Sequence, residues 1–314
     1  MADNIKIRSF ITGIGGFAGK YLAEFLLKEG HEVFGIDLKI PEPSSPFYVK
    51  GATYFKCGLN EYGKLEEFVK QASPQKVFHL AAYARASDSW KNCGLIIDAN
   101  IKGTVNLLEA VLKEAPDSVI VSVCSGAQYG SNSDIDDQSV FEPLNPYSVS
   151  KAAAEHFSLL YSKKRGLDVR VARPFNHTGP LQEKGYVVTD YASEIADAEN
   201  SGVKKRIKVR SSNVVRNFSD VRDIVRAYVY IAEKGKAGES YNLASDESIS
   251  VGDIAEILAA SAAADVSLEP DGNPPKKETF SVDNSKIKLL GWKPLYRIEE
   301  TISSVMKFYL EKNI

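Results

Sequence analysis

Short apolar runs alternate with longer amphipathic segments along the first half of the chain. The apolar runs are rich in β-branched residues, which is typical of parallel strands that are buried on both faces. The longer segments carry apolar residues three and four positions apart, which indicates helices that bury one face. The predicted strands are Ile5–Ile11, Glu32–Ile36, Val77–Leu80, Ser118–Val123 and Asp168–Ala172, and the predicted helices are Gly16–Glu29, Leu65–Gln71, Ile101–Glu114 and Pro146–Lys164. This alternation predicts an α/β fold with a doubly wound parallel sheet.

The pattern changes after Arg173, where prolines and glycines interrupt the alternation. A basic strand is predicted at Lys204–Arg210, and the last predicted element is an amphipathic helix at Ile298–Leu310. We therefore expect a smaller C-terminal lobe packed on a first domain, with the ligand site in the cleft between them. The expected first domain covers residues 1–174 and 213–245, and the expected lobe covers residues 175–212 and 246–314.

A glycine-rich turn follows the first predicted strand. Gly13 allows a tight turn, Gly16 lets backbone N–H groups approach a pyrophosphate, and Gly19 lets the helix lie close to the sheet. The start of that helix adds the positive end of its dipole. Because Gly15 is an extra glycine and the spacing is G-x-x-G-x-x-G, a purely structural turn is the alternative. A preceding strand and a following helix favour a dinucleotide site of the Rossmann type.

Asp37 stands at the end of the second predicted strand. A carboxylate there accepts hydrogen bonds from both ribose hydroxyls of an adenosine and repels a 2′-phosphate. Asp37 therefore favours NAD(H), whereas Lys39, two residues later, keeps NADP(H) open. The alternative is a solvated acid at a strand end.

Tyr147 and Lys151 are four residues apart on a predicted helix, so they share one face. An ammonium group and an oxidised nicotinamide ring both favour a phenolate, so we expect them to lower the pKa of Tyr147. Tyr147 could then act as a general acid or base. Ser125, at the carboxyl end of the strand before it, could hold a substrate oxygen. An ordinary amphipathic helix and a turn-forming serine are the alternatives.

Composition narrows the class of protein. The 314 residues are 44% hydrophobic and 25% charged, and the formal net charge is −2. No broad basic field for nucleic acid or anionic membranes is expected, and no apolar run is long enough to span a membrane. Three scattered cysteines fit neither a disulfide framework nor a metal cluster, so we expect a cytoplasmic enzyme without a metal.

Several motifs, in this order, are shared with one enzyme family. The chain resembles the extended short-chain dehydrogenase/reductases that act on nucleotide sugars. The matching stretches are Thr12–Gly19, His79–Ala82, Asn100–Glu109, Ser125–Gly130, Asn145–Lys151, Ala172–Pro180, Arg216–Asp223, Tyr241–Ala244 and Gly291–Pro294. Within the family, Ala172–Pro180 is most similar to the GDP-4-keto-6-deoxymannose reductases.

The resemblance implies a role for each matching residue. It implies that Ser125, Tyr147 and Lys151 form a catalytic triad. It implies a cofactor site in the first domain, formed with the triad's Tyr147 and Lys151 by Gly13, Gly16, Phe17, Ala18, Gly19, Asp37, Leu38, Leu59, Leu80, Ala81, Ala82, Asn100 and Pro174. It implies a nucleotide-sugar site, GDP-sugar favoured, formed by Arg85, Ser125, Gly126, Asn176, Val187, Arg216, Lys276 and Lys277. A surface ion pair with Asp220 or Asp223 is the alternative for Arg216, and His177 is interpreted as a buried core histidine.

Some positions depart from the family pattern. Gly58 stands where the third strand usually ends in an acid. Gly126 and Ala127 stand where dehydratases of the family carry an acid pair, which disfavours dehydration. Arg85 replaces a small or hydroxyl residue, and a lysine, Lys276 or Lys277, replaces a late arginine.

The leading hypothesis is therefore reduction of a nucleotide-linked 4-keto sugar at C4. A 4-epimerase or 4-dehydrogenase with tightly held NAD is the second, and a non-catalytic NAD-binding relative is the remote third. The family usually forms homodimers through a bundle of the helices Ile101–Glu114 and Tyr147–Tyr161, and we expect the same here.

Overall fold

The computed structural model of the protein describes residues 6–202, 204–263, 265–271 and 279–312. Within these ranges the strands are β1 (Arg8–Thr12), β2 (Glu32–Asp37), β3 (Thr53–Lys56), β4 (Lys76–His79), β5 (Val119–Val123), β6 (Asp134–Ile135), β7 (Asp168–Pro174), β8 (Asn176–Thr178), β9 (Lys205–Val209), β10 (Val215–Asp220), β11 (Ser240–Leu243), β12 (Ser248–Ser250), β13 (Val266–Pro270) and β14 (Ser281–Val282). The α-helices are α1 (Phe17–Lys28), α2 (Tyr62–Ala72), α3 (Cys93–Ile96), α4 (Gly103–Glu114), α5 (Pro146–Arg165), α6 (Val187–Ser201), α7 (Val221–Lys234), α8 (Val251–Ala260), α9 (Ser285–Leu289) and α10 (Ile298–Lys312). A π-helical turn spans Ile97–Lys102, and a 3₁₀ turn spans Gly126–Tyr129. Across the described ranges, no helix is long and apolar enough to cross a membrane.

Among the described residues, seven strands form one parallel sheet in the order β11-β7-β5-β4-β1-β2-β3. The order reverses between β1 and β4, which pair at their carboxyl ends through Thr12 and His79. Open α/β sheets bind ligands in the crevice at such a reversal. The predicted doubly wound parallel sheet is confirmed, and its crevice lies beside the glycine-rich turn.

Different helices cover the two faces of the sheet. Phe10 of β1 packs in a hydrophobic cluster with α2 and α4, whereas its neighbour Ile11 packs with α1 and α7. Val77 and Phe78 of β4 divide between the same two clusters. Because successive side chains of a strand point to opposite faces, burial on both sides requires continuous apolar runs.

The smaller C-terminal lobe has its own hydrophobic cluster, which joins α6, α8 and α10 with β9 and β13. Ile195, Ile254 and Met306 are fully buried in it. The basic segment predicted as a strand is β9, which pairs in parallel with β13. Ile287 and Trp292 pack instead in the cluster with α1 and α7, so the chain returns to the sheet before α10.

Candidate active site

The glycine-rich turn after β1 has the geometry of a phosphate cradle. Gly13 has φ +76°, and a Cβ there would lie 3.0 Å from the backbone nitrogen of Ala81. A Cβ at Gly19 would collide with the carbonyl oxygen of Gly13. Gly16 precedes α1, and no side chain caps this helix. The first N–H groups of α1, beginning at Phe17, therefore fit a pyrophosphate, with no side chain in the way.

Asp37 is tied to this turn and is not a freely solvated acid. The backbone N–H of Gly15 donates to its Oδ2 at 3.0 Å, and that of Lys39 donates to its Oδ1 at 3.4 Å. Burial raises the pKa of Asp37, against the lowering effect of these hydrogen bonds. A carboxylate offers about four acceptor positions, so Asp37 keeps capacity for ribose hydroxyls. Leu38 beside it is 74% exposed, so its side chain is accessible to a ligand.

A chain of buried hydrogen bonds crosses the sheet beneath the crevice. The N–H of Ala81 donates to Oγ1 of Thr12 at 3.1 Å, and Thr104 donates its hydroxyl to the carbonyl of Asn100 at 2.6 Å. Between them, His79 joins the two threonine hydroxyls at 2.8 Å each. These directions assign the proton of His79 to Nε2 and make Nδ1 an acceptor. Burial, followed by the charge of Lys151, lowers the pKa of His79 to about 3.

Asn100 lies in the π-helical turn and supports the site indirectly. Its Oδ1 accepts from the backbone N–H of Tyr83 at 2.7 Å, and its Nδ2 donates to Oγ of Ser150 at 2.8 Å. Ser150 in turn donates to the carbonyl of Tyr147 at 2.7 Å. Asn100 is 2% exposed, so its side chain is directed to these protein groups and not into the crevice.

The three predicted catalytic residues come together at the carboxyl end of β5. Ser125 lies two residues after the end of β5. Tyr147 and Lys151 face Ser125 from the first turns of α5. Helix α5 begins sharply because Asn145 and Ser148 form a capping box. Lys151 is 6% exposed, and its Nζ donates to the carbonyl of Val123 at 2.8 Å. Two further N–H groups of Lys151 can therefore meet a cofactor ribose.

The expected lowering of the Tyr147 pKa is not what this structure shows. Burial raises the pKa of Tyr147 to about 12, and a hydrogen-bonding interaction with Ser125 opposes that rise. Burial also lowers the pKa of Lys151, whose ammonium is directed to a carbonyl and does not reach the phenol. A positive charge brought next to Tyr147, such as an oxidised nicotinamide ring, would favour the phenolate.

The turn after Ser125 carries no acid. Oγ of Ser125 accepts from the N–H of Ala127 at 3.1 Å and so starts the 3₁₀ turn. A Cβ at Gly126 would lie 2.7 Å from the ring of Phe175. The ring of Phe175 thus fills the place that a side chain at Gly126 would need.

The residues predicted to bind the sugar nucleotide stand on several different elements. Asn176 and Arg216 stand on the paired strands β8 and β10, and the guanidinium of Arg216 lies 5.6 Å from the ring centroid of Phe280. Arg85 forms an ion pair with Glu183 at 3.5 Å, which links the loop after β4 to the loop before α6. Val187 begins α6, and Lys276 and Lys277 lie outside the described residues. Asp220 and Asp223 form ion pairs with Arg222 and Arg226.

Two histidines complete the surroundings of the site. His177, interpreted from the sequence as a buried core histidine, is only partly buried. Its Nδ1 meets the carbonyl of Phe175 at 3.1 Å, and its ring lies parallel to that of Phe17. His79, together with Thr12 and Thr104, is a site residue that sequence reasoning missed. Its place in the motif His79–Ala82 was the available signal.

Comparison with known proteins assigns the family. A sequence model described as GDP-mannose 4,6 dehydratase matches residues 10–305. The chain belongs to the GDP-mannose 4,6-dehydratase family. This assignment confirms the resemblance to extended short-chain dehydrogenase/reductases, so the protein is an enzyme of the NAD(P)-dependent oxidoreductase type.

Relatives within and near the GDP-mannose 4,6-dehydratase family differ in activity and cofactor. A GDP-6-deoxy-D-mannose reductase from Pseudomonas aeruginosa is 29% identical over 307 residues, which cover 95% of this chain and 96% of that protein. The structure of RMD from the same organism, complexed with NADPH, has a TM-score of 0.83 at 26% identity and covers 98% of this chain and 100% of its own. A UDP-glucose 4-epimerase from Thermus thermophilus, in complex with NAD, has a TM-score of 0.83 at 25% identity. The match covers 96% of this chain and 99% of the epimerase. A nicotinamide cofactor follows for this chain.

Proposed function

We propose that this protein reduces the 4-keto group of a nucleotide-linked sugar, of the GDP-4-keto-6-deoxymannose kind, with NAD(P)H. The observation that carries the proposal is the turn after Ser125, where Gly126 packs under Phe175 and Ala127 follows. Elimination of water from a sugar needs an additional acid and base, whereas reduction of a ketone needs one proton donor. The similarity to a GDP-6-deoxy-D-mannose reductase supports the same reaction.

Each residue of the triad has one task in this reaction. The nicotinamide, when bound, supplies the hydride that C4 receives. Tyr147 donates its phenolic proton to the oxygen at C4, which becomes the hydroxyl of the product, and solvent then reprotonates the phenolate. Ser125 donates a hydrogen bond to the same oxygen and fixes its direction. Lys151 holds the cofactor ribose through the N–H groups that do not bind Val123.

The diphosphate and sugar contacts are also part of the proposal. Arg216 offers a planar guanidinium that suits a phosphate, and Asn176 on the neighbouring strand offers an amide beside it. Arg85 lies at the mouth of the cleft and Val187 at the start of α6. Lys276 and Lys277 complete the proposed set from a segment outside the described residues. In this assignment, residues 1–174 and 213–245 bind the dinucleotide, and residues 175–212 and 246–314 bind the nucleotide sugar.

Turnover tests the proposal directly. The purified protein is mixed with GDP-4-keto-6-deoxymannose and NADH or NADPH, and loss of the reduced nicotinamide is followed. We expect oxidation of the cofactor and formation of the 4-hydroxy sugar. NADH should be preferred, because the Asp37 carboxylate would accept hydrogen bonds from ribose hydroxyls and repel a 2′-phosphate. The same protein with GDP-mannose and NAD⁺ should release no water. If no nucleotide-linked 4-keto sugar supports cofactor oxidation, the proposal is wrong.

A 4-epimerase or 4-dehydrogenase with tightly held NAD(H) is the second candidate. Asp37 favours it, because this half-buried carboxylate holds the glycine turn and suits NAD(H). An epimerase must keep its cofactor through the catalytic cycle, so the purified protein would carry close to one NAD(H) per chain. Release of the bound nucleotide by denaturation, followed by chromatography, separates this candidate from a reductase that exchanges its cofactor.

We further propose a homodimer through the helices α4 and α5. Val149, Phe157 and Leu160 form an exposed apolar stripe on α5. The stripe continues into a cavity of about 350 Å³ that is lined by Trp90, Ile97 and other apolar residues. A second copy of this stripe is a matching partner, since a two-fold axis brings identical patches together.

A further inference from the structure

Glu155 is a buried acid one turn beyond Lys151 on the catalytic helix. Tyr147, Lys151 and Glu155 are spaced four residues apart and share one face of α5. Glu155 is 1% exposed, and an unpartnered carboxylate at that depth would be strongly destabilising. The carboxylate of Glu155 must therefore be paired with groups of the protein.

Arg173 on β7 is the main partner of Glu155. Its Nε donates to both carboxylate oxygens, at 3.0 and 3.1 Å, and its Nη1 donates to the hydroxyl of Tyr129 at 2.6 Å. Tyr129 donates in turn to Oδ1 of Asn242 at 2.8 Å. The guanidinium also lies over the rings of Tyr129 and Phe141. Both charged groups are nearly excluded from solvent, so the contact has a fixed geometry.

The same network holds the turn that begins at Ser125. Gln128 donates its Nε2 to the carboxylate of Glu155 at 2.8 Å, and Tyr129 accepts from Arg173. Gln128 and Tyr129 both belong to the 3₁₀ turn whose start Ser125 caps. Glu155 thus connects the helix that carries Tyr147 to the turn that carries Ser125.

This connection bears on the proton donor. The hydrogen-bonding interaction with Ser125 opposes the rise in the pKa of Tyr147 that burial causes. Hydrogen bonds weaken steeply with distance and angle, so the effect depends on how the turn is held against the helix. A buried ion pair is poor evidence for stability as such, because apolar replacements of similar volume are often as stable.

We propose that Glu155 and Arg173 are positioning residues that hold the turn of Ser125 against the start of α5, where Tyr147 lies. They act through Gln128 and Tyr129 and do not touch the substrate. The kinetic consequences rest on the proposed function, whereas the effect on the ionisation of Tyr147 does not.

The first experiment measures that ionisation without a substrate. The phenolate absorbance of the NAD⁺ complex is titrated, and the same titration with Tyr147→Phe is subtracted in each background. Ser125→Ala should raise the pKa of Tyr147, and Gln128→Leu should raise it by part of that amount. The double variant Ser125→Ala/Gln128→Leu should have the same Tyr147 pKa as Ser125→Ala alone. Both changes act on the same interaction, the one between Ser125 and Tyr147. An unshifted pKa in Gln128→Leu, or additive shifts in the double variant, would overturn the proposal.

The second experiment separates positioning from general stability. Arg170 is a matched control for Arg173: it lies on β7, is 9% exposed, and donates to Asp168 and to the carbonyls of Ile231 and Ala232. Arg173→Lys and Arg170→Lys should both lower the thermal midpoint of unfolding. Arg173→Lys alone should lower kcat, by about tenfold, with an unchanged KM for NADH. It alone should also move upward the alkaline limb of the kcat/KM profile for the keto sugar, which reports the enzyme before the sugar binds Ser125.

Equal pH profiles for the two lysine variants would contradict a positioning role. Failure of the parent protein to reduce any 4-keto nucleotide sugar would instead refute the proposed function. The phenolate titration would then still decide the inference.

Discussion

At the scale of single residues, two positions limit the chemistry of the pocket. Tyr147 offers one phenolic proton beside Ser125, and its pKa of about 12 keeps that proton in place at neutral pH. Gly126, the next residue after Ser125, lies against the ring of Phe175 and has no room for a side chain. The proposed reduction of a ketone depends on these two positions, because it requires a single proton donor and no further acid or base.

Replacement of Tyr147 by phenylalanine tests the proton donor. The variant keeps the ring and its packing but has no proton to give, so we expect kcat to fall by about 10²- to 10⁴-fold. The dissociation constant for NADH, measured by fluorescence titration, should stay within about twofold, because Lys151 and the glycine turn are unchanged. Residual turnover close to that of the parent would show that another group supplies the proton.

Gly126→Ala tests the packing under Phe175. The added Cβ would lie 2.7 Å from that ring, so the variant should lose about 1–3 kcal/mol of unfolding free energy and most of its activity. Gly63→Ala is the matched control, since no atom lies within 4 Å of a Cβ at this position in α2. Urea denaturation should show the control as stable as the parent or more stable. Equal stability of both variants would mean that Phe175 moves aside freely.

At the scale of elements, local signals explain which parts were predictable. The strand predicted at Ser118–Val123 is β5, and the helix predicted at Pro146–Lys164 is α5, which ends with the left-handed Gly166. The π-helical turn at Ile97–Lys102 was not predicted. Backbone hydrogen bonds join residues five apart in a π-helix and four apart in an α-helix, and the spacing of apolar residues does not distinguish the two over a single turn.

Contacts between distant elements were not predictable from the sequence. Glu155 and Arg173 are 18 residues apart, and Gln128 lies 27 residues before Glu155. Nothing in their spacing marks them as partners, since the sheet order decides which side chains meet. The family motifs contain Ser125, Tyr147 and Lys151, so the sequence alone could propose the triad, whereas its connection through this pair required the fold.

The hydrogen-bond chain through His79 joins β1 to β4 and α4, and it makes stability depend on pH. The folded protein holds His79 neutral with a pKa of about 3, whereas an unfolded histidine titrates near 6.5. Between these values the unfolded chain binds more protons, so the stabilisation is fully present above about pH 6.5 and is lost as pH falls toward 3. Each pH unit within this window should cost at most about 1.4 kcal/mol of unfolding free energy from this group.

His79→Asn isolates that contribution from the other titrating groups. The variant should be less stable than the parent at neutral pH, because the links to Thr12 and Thr104 are broken. The difference in unfolding free energy between parent and variant should narrow as pH is lowered from about 7 to about 5. Only the parent loses the stabilisation that comes from holding His79 neutral in the folded state. A difference that stays constant over this range would show that His79 does not titrate in this way.

At the scale of the whole molecule, the site is assembled from segments far apart in the chain. The glycine turn and Ser125 follow strands of the seven-stranded sheet, and Tyr147 and Lys151 lie on α5, whereas Asn176 and Arg216 stand on β8 and β10 of a separate sheet. The segment from Ile287 to Trp292 packs on α7. The chain therefore passes several times between the cluster with α1 and α7 and the cluster of the C-terminal lobe. These several crossings of the chain connect the two lobes.

The proposed dimer is the last property that belongs to the whole molecule. Leu160 is 49% exposed on the apolar stripe of α5, on a different face of the helix from Glu155. Leu160→Lys places a charge in the proposed interface and should convert the dimer to a monomer in sedimentation equilibrium. Leu289→Lys is the matched control, because Leu289 is 86% exposed on α9, outside the stripe, and this variant should sediment like the parent. A parent protein that sediments as a monomer would exclude the dimer. A Leu160→Lys variant that stays dimeric would place the contact between subunits elsewhere.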